Sequence, residues 1–119
     1  MKKFDLEERL IDYSVQIVKI ASELPKSKVG NHLSGQLIRS GTSVSLNYGE
    51  AQSAESRKDF IHKIKVILKE LRETLICLKI IDRLKLYASE EKIKFGLKES
   101  DKLISIFVQS VKIAKKNME

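Results

Sequence analysis

A chain of 119 residues that is 42% hydrophobic and 33% charged, with one proline and five glycines, can bury one core but not two, and its composition excludes disorder. A formal charge of +7 and a pI near 9.5 make a polyanion a natural partner, although lysines kept only for solubility would give the same balance. The single cysteine, Cys77, excludes an internal disulfide. No cysteine–histidine spacing fits zinc, and no run approaches the roughly 20 apolar residues of a membrane span. With no secretory signal pattern at its start, the chain is expected to be a soluble cytoplasmic protein.

Helical periodicity runs almost from end to end. Leu6, Leu10, Tyr13, Ile17, Ala21 and Leu24 recur at three- and four-residue steps and define the inner stripe of a first helix, which Pro25 ends. "PKSKVGN" reads as a loop. The stretch "SGQLIRSGTSVSLNYGEAQSA", Ser34 to Ala54, is crowded with glycine and small hydroxyl residues. As a loop it would be long for a compact domain. On a helical wheel it orders itself, with Val29, Leu33, Leu37, Gly41, Val44, Tyr48 and Ala51 on one face. Gly35, Ile38, Thr42, Ser45 and Gly49 form a second strip, whose small residues allow close approach by another helix. The spacing therefore predicts a helix over about 30–54. A nucleotide-binding loop is not supported: neither G-x-x-x-x-G-K-[ST] nor G-x-G-x-x-G after a strand is present.

Phe60, Ile64, Ile67, Leu71, Leu75 and Leu78 mark a third helix running to about Lys85. Ser89, followed by Glu90 and Glu91, starts a fourth, with Ile93, Gly96, Ser100, Leu103, Phe107, Val111 and Ala114 as its inner stripe. Four amphipathic helices on short connections predict an all-α, antiparallel up-and-down four-helix bundle, one domain over residues 1–119.

Apolar residues beyond one stripe per helix are informative. Ile76 and Ile80 point away from Phe60, Leu71 and Leu78, and Ile11, Val15 and Val18 make a second stripe on the first helix. Together with Gly35, Ile38, Thr42 and Gly49 they predict a subunit interface; a broad core edge is the plainer reading. On the third helix Lys58, His62, Lys65, Lys69 and Arg72 fall within about 80° of one another, opposite the core stripe, and Lys79 and Arg83 extend them. Such a stripe, with Arg39 nearby, can track a phosphate backbone, whereas an ordinary solvated face would look the same. With 6% aromatic residues and no tryptophan, phosphate and shape recognition suit it better than base stacking.

Catalysis finds little foothold. A di-iron bundle needs Glu-x-x-His on two helices, and only "DFIH", Asp59 to His62, resembles one half. No metal, cofactor or catalytic group is expected. Cys77 reads as a small packing residue, and Glu70, Arg72 and Glu73 as members of surface ion pairs.

The segment "LSGQLIRSGTSVSLNYGEAQSAESRKDFIHKIKVILKELRET", with "FDLEERLIDYSVQIVKIASELPK" before it, resembles the small bacterial proteins encoded by intervening sequences in 23S ribosomal RNA genes, also called the S23 ribosomal protein family. The diversity-generating retroelement accessory protein is a more distant relative. The densest similarity lies in Arg39–Ser40, Ser43–Val44, Asn47, Glu50–Ala51 and Ser56, then Phe60, Lys69–Glu70 and Glu73–Thr74. The resemblance implies a left-handed antiparallel bundle assembling as a ring, typically a homopentamer, with a role in nucleic-acid binding and no established enzymatic activity. Many relatives carry a proline in the middle of the second helix, where this chain has Ser45–Leu46, so a straighter helix is expected. The leading expectation is a non-enzymatic homo-oligomer that binds structured RNA through its basic face. The alternative is a protein–protein adaptor that uses Ile76, Ile80 and the second stripe of helix one.

Overall fold

The computed structural model describes residues 5–118. Among them are four helices, α1 Leu6–Ser22, α2 Lys28–Gln52, α3 Arg57–Arg83 and α4 Glu90–Lys116. The first helix of each pair runs opposite to the next. α2 packs on both α1 and α3, α3 also packs on α4, and the α1/α4 seam is much the thinnest. The chain is the expected up-and-down bundle.

Each helix starts on an oxygen-bearing side chain that accepts from the exposed amides of the first turn. Asp5 accepts from the Glu8 amide, Ser27 from Gly30, Ser56 from Asp59 and Ser89 from Lys92, at 3.0–3.2 Å. The Ser27 cap moves the start of α2 to Lys28, inside the segment expected to be a loop, and its end to Gln52. It also turns Val29 outward and Gly30 inward. A Cβ at Gly30 would stand 1.9 Å from the Pro25 carbonyl oxygen, so only glycine fits there. α2 continues unbroken through Ser45–Leu46. α3 stops two residues short of the expected end, and Lys85, with φ 55°, reverses the chain into α4.

The core stripes fall where the periodicity places them, except that Val29 is exposed and Leu6, Tyr48 and Phe60 are only partly buried. Phe60 is half-buried, as is Tyr48, which meets Phe107 edge-on with ring centroids 6.0 Å apart. Central to the core is a layer in which two helices come close to Ile17. A Cβ at Gly41 would lie 2.6 Å from Ile17 Cγ2, and one at Gly96 would lie 3.0 Å from Leu78 and 3.8 Å from Ile17. Within the chain the close approach thus falls at Gly41, on the core face of α2, and not on the second strip to which it was assigned. At Gly35 and Gly49 a Cβ would meet nothing within 4 Å. Ser45, expected on that outer strip, is drawn toward α1 instead, 2.6 Å from the Ser14 hydroxyl.

Buried hydroxyls tie the helices together in pairs. Ser100 donates to the Gly96 carbonyl at 2.7 Å, so its one proton is committed and Tyr13 must donate to it, at 2.6 Å. By the same reasoning Thr74 donates to the Glu70 carbonyl and accepts from Ser40 at 2.7 Å. Ser14 donates to the Gly41 carbonyl at 2.7 Å. These contacts link α1 with α4, α3 with α2, and α1 with α2.

Burial raises the Tyr13 hydroxyl to about 12 against an ordinary value of 10.0, with its hydrogen bonding to the neighbouring hydroxyls opposing the shift. A folded-state value above the unfolded one keeps its full contribution below pH 10 and loses it as pH rises from 10 toward 12. The stability of the wild type should therefore fall by about 2–3 kcal/mol more than that of Tyr13→Phe across this window. Urea denaturation of both proteins at pH 9 and near pH 12 checks this; parallel pH profiles would contradict it.

Candidate nucleic-acid interface

The positive charge is not spread evenly. Among the described helices, α3 carries eight cations against four carboxylates and α4 seven against four, whereas α1 carries two against three. The excess belongs to the side of the bundle formed by α3 and α4.

Lys58, His62, Lys65, Lys69, Arg72, Lys79 and Arg83 are all exposed. Because α3 buries Ile64, Ile67, Leu71 and Leu78 on the opposite side, the helical repeat holds these seven on its outer face. Among the described residues, the ion pairs are Arg9–Glu99, Arg39–Glu70, Arg39–Glu73, Lys63–Glu50 and Lys85–Glu90. None includes a cation of the stripe. No aromatic side chain interrupts the stripe, so its chemistry is that of point charges meeting phosphate rather than rings stacking on bases. Lys94, Lys98 and Lys112 of the adjacent α4 are also exposed and widen the positive surface. Their spacing against Ile93, Gly96 and Val111 is the sequence signal that marks them, although they are not among the expected anion-binding residues.

Arg39 differs from the other candidates. Its guanidinium lies between Glu70, at 3.1 Å, and Glu73. Glu70 is buried at 7% exposure. It is therefore not the member of a surface ion pair that was expected, but holds α3 to α2 through Arg39. One guanidinium between two carboxylates leaves this cluster a single negative charge, so Arg39 does not add to the basic face. The similarity pattern read at Arg39, Ser40, Glu50, Glu70, Glu73 and Thr74 is largely this α2/α3 seam: Arg39 with the two glutamates, Ser40 with Thr74, and Glu50 with Lys63 at 2.7 Å.

The apolar candidates do not form one surface. Ile11, Val15, Ile38, Ile76 and Ile80 are exposed, and Val18 and Thr42 are partly buried. Ile11 and Val18 lie with Gly35, Ile38, Thr42 and Gly49 on the outer side of the α1/α2 pair, because Ser14 and Gly41 mark its inner seam. Ile76 and Ile80 flank a groove of about 550 Å³ between α2 and α3, together with His32, Gln36, Arg39 and Arg72. Val15 lines a groove of about 580 Å³ on the α1/α4 side, with Asp12, Lys19, Glu91 and Phe95. Phe95 was not among the expected interface residues.

Cys77 is buried and packs toward the Leu33 carbonyl at 3.7 Å. Desolvation pushes its thiol up to about 11, which suits packing rather than nucleophilic chemistry. Among the described residues no group of three or more His, Cys, Asp or Glu side chains could hold a metal ion, and no helix is long and apolar enough to cross a membrane.

Fold and surface together define a small, all-α bundle with one strongly cationic side. Residues 2–115 match the family of 23S rRNA-intervening sequence proteins, and the chain belongs to that family. It is also similar to the crystal structure of a protein of unknown function from the S23 ribosomal protein family of Bacteroides thetaiotaomicron VPI-5482. The two share 30% identity over 91% of this chain and 99% of that one, with a TM-score of 0.82. No curated protein matches the chain.

Proposed function

We propose that this chain is a non-enzymatic, self-assembling protein that binds structured RNA, either ribosomal RNA or its own transcript, through the outer face of α3. The observation that carries this reading is the row of exposed cations from Lys58 to Arg83, none of them engaged by a carboxylate among the described residues. Membership of a family named for 23S rRNA-intervening sequences supports RNA as the polyanion. Assembly, as a pentameric ring by family resemblance, would repeat the stripe and turn weak contacts into avid ones. Exposed Ile76 and Ile80 also suit the second reading, an adaptor that grips another polypeptide.

Gel shifts with folded rRNA fragments over a salt series test the first reading. Affinity should fall steeply as salt rises, and the Lys65→Glu/Lys69→Glu variant should bind at least about tenfold more weakly with its helicity intact. Salt-insensitive binding, or equal affinity in the variant, would overturn it. A monomer in light scattering, with Ile76 and Ile80 left open, would favour the adaptor.

A further inference from the structure

The lower end of the bundle is uneven. Ile17, Gly41, Leu78 and Gly96 share one layer. Counted from it, α1 begins 11 residues below, whereas α3 begins 21 below and α4 ends 20 below. At about 1.5 Å per residue, the α3/α4 pair projects about 13 Å past the start of α1. Glu99, which pairs with Arg9, marks the α1 side of α4. On the helical wheel Ile106, Ser110 and Ile113 fall within about 40° of Glu99. Ile106 is level with the first turn of α1, Ser110 and Ile113 lie beyond it, and Ile113 is 53% exposed.

A groove of about 330 Å³ opens at this end, lined by Arg57 and Phe60 of α3 and by Ile106, Gln109, Ser110 and Ile113 of α4. Phe60, Ile106 and Ser110 are half-buried, and the other three are exposed. No carboxylate lines it. Cations bracket it instead. Lys102, Ile106, Gln109, Ile113 and Lys116 follow one another at steps of four and three residues, so they form one ridge of α4 with a lysine at each end. Lys112 stands beside this ridge on the side toward α3. Lys58 and Lys116 are both 20 residues below the central layer, and His62 and Lys112 are both 16 below. The basic stripe of α3 therefore continues across α4 to the edge of the groove. Arg57, Lys102, Lys112 and Lys116 belong to none of the ion pairs among the described residues.

Resting on the RNA-binding reading above, we propose that this groove takes one unpaired nucleotide of the RNA whose phosphates the stripe holds. The base lies against the Phe60 ring between Ile106 and Ile113. Its polar edge meets the Gln109 amide and the Ser110 hydroxyl, which offer donors and acceptors alike, and the flanking phosphates meet Arg57 and Lys116. Apolar walls with a few convergent polar groups are the usual make-up of a small-ligand site. A polyanion crossing the groove finds opposite charge on both sides, whereas the basic groups of a peptide would find no carboxylate in the lining. The site also supplies what the stripe lacks. Point charges on phosphates position a folded RNA without reading it, and the major groove of an A-form stem is too deep and narrow for side chains. Bases splayed out of loops and bulges are the part of a folded RNA that a protein can read.

Two RNA stems, one fully paired and one carrying a single unpaired adenosine, separate the groove from the stripe. The wild type should bind the bulged stem at least about tenfold more tightly than the paired one. Gln109→Ala/Ile113→Ser should bring the bulged stem down to the affinity of the paired stem and leave the paired stem unchanged. Both positions are exposed, so helicity by circular dichroism should match the wild type. Phe60→Leu keeps apolar bulk and removes the ring, and should reduce the preference at least about threefold. With 2-aminopurine at the unpaired position, binding to the wild type should change its emission, and binding to the Gln109→Ala/Ile113→Ser variant should not. A preference that survives in both variants would overturn the base site and assign the groove to another ligand, such as an acidic, apolar peptide. If the wild type binds neither stem, this site and the RNA reading fall together; if it binds both stems alike with steep salt dependence, only the site falls.

Discussion

Replacing Ile17 with alanine should lower the unfolding free energy by about 2–5 kcal/mol, with a matching drop in the urea midpoint. Ile17 is fully buried and fills the space left by Gly41 and Gly96 on two other helices. Those glycines have no side chains to spread into a gap, so much of the cavity should persist. The loss is expected near the upper part of that range. A partner substitution sharpens the test. In the wild type Gly41→Ala forces a methyl to 2.6 Å from Ile17 Cγ2 and should destabilise despite alanine's advantage of about 1 kcal/mol in a helix. In the Ile17→Ala background the same change should stabilise, because the methyl enters vacant space. Urea denaturation of the four proteins in this cycle measures the coupling. Additive effects would mean that Ile17 and Gly41 do not share the layer.

The second large effect is expected at Arg39. Arg39→Met strands Glu70 in a buried position beside Glu73, and should cost about 2–4 kcal/mol. That figure lies below the usual cost of breaking a buried pair because the Arg39 side chain is itself half exposed. Adding Glu70→Gln removes the stranded charge and should recover part of the loss. A cost under about 1 kcal/mol for Arg39→Met, the usual value of a surface pair, would show that Glu70 is solvated as it was first read. Denaturant midpoints of the single and double variants decide between the two.

These two sites also mark where the sequence was readable. The inner stripes of all four helices follow from three- and four-residue spacing, because burial of one face leaves a periodic trace that no other residue choice mimics. Serine caps before polar first turns signal helix starts, yet Ser27 was read as part of a loop. Its neighbour Pro25 dominated the local pattern, and the buried member of the first turn is Gly30, which has no hydropathy to register. The Arg39–Glu70–Glu73 cluster was missed for a different reason. Charged residues read as surface on any wheel, and whether a carboxylate is buried depends on an arginine 31 positions away in the chain. The basic stripe of α3 was legible because all its members sit on one helix. The apolar grooves were not, since each takes its residues from two helices and the sequence could not show that Ile76 and Val15 lie on opposite sides.

Hydroxyl pairs in the core set the longitudinal alignment of the rods. Hydrocarbon contacts resist sliding through shape, as where Ile17 fits against Gly41, and Tyr13 with Ser100 and Ser40 with Thr74 hold only at one offset. A slip of one turn would leave several polar atoms dry and unmatched, at about 1–3 kcal/mol each. The bundle behaves like a vernier locked at one graduation, so the outward-facing residues of one helix keep constant elevations relative to those of another.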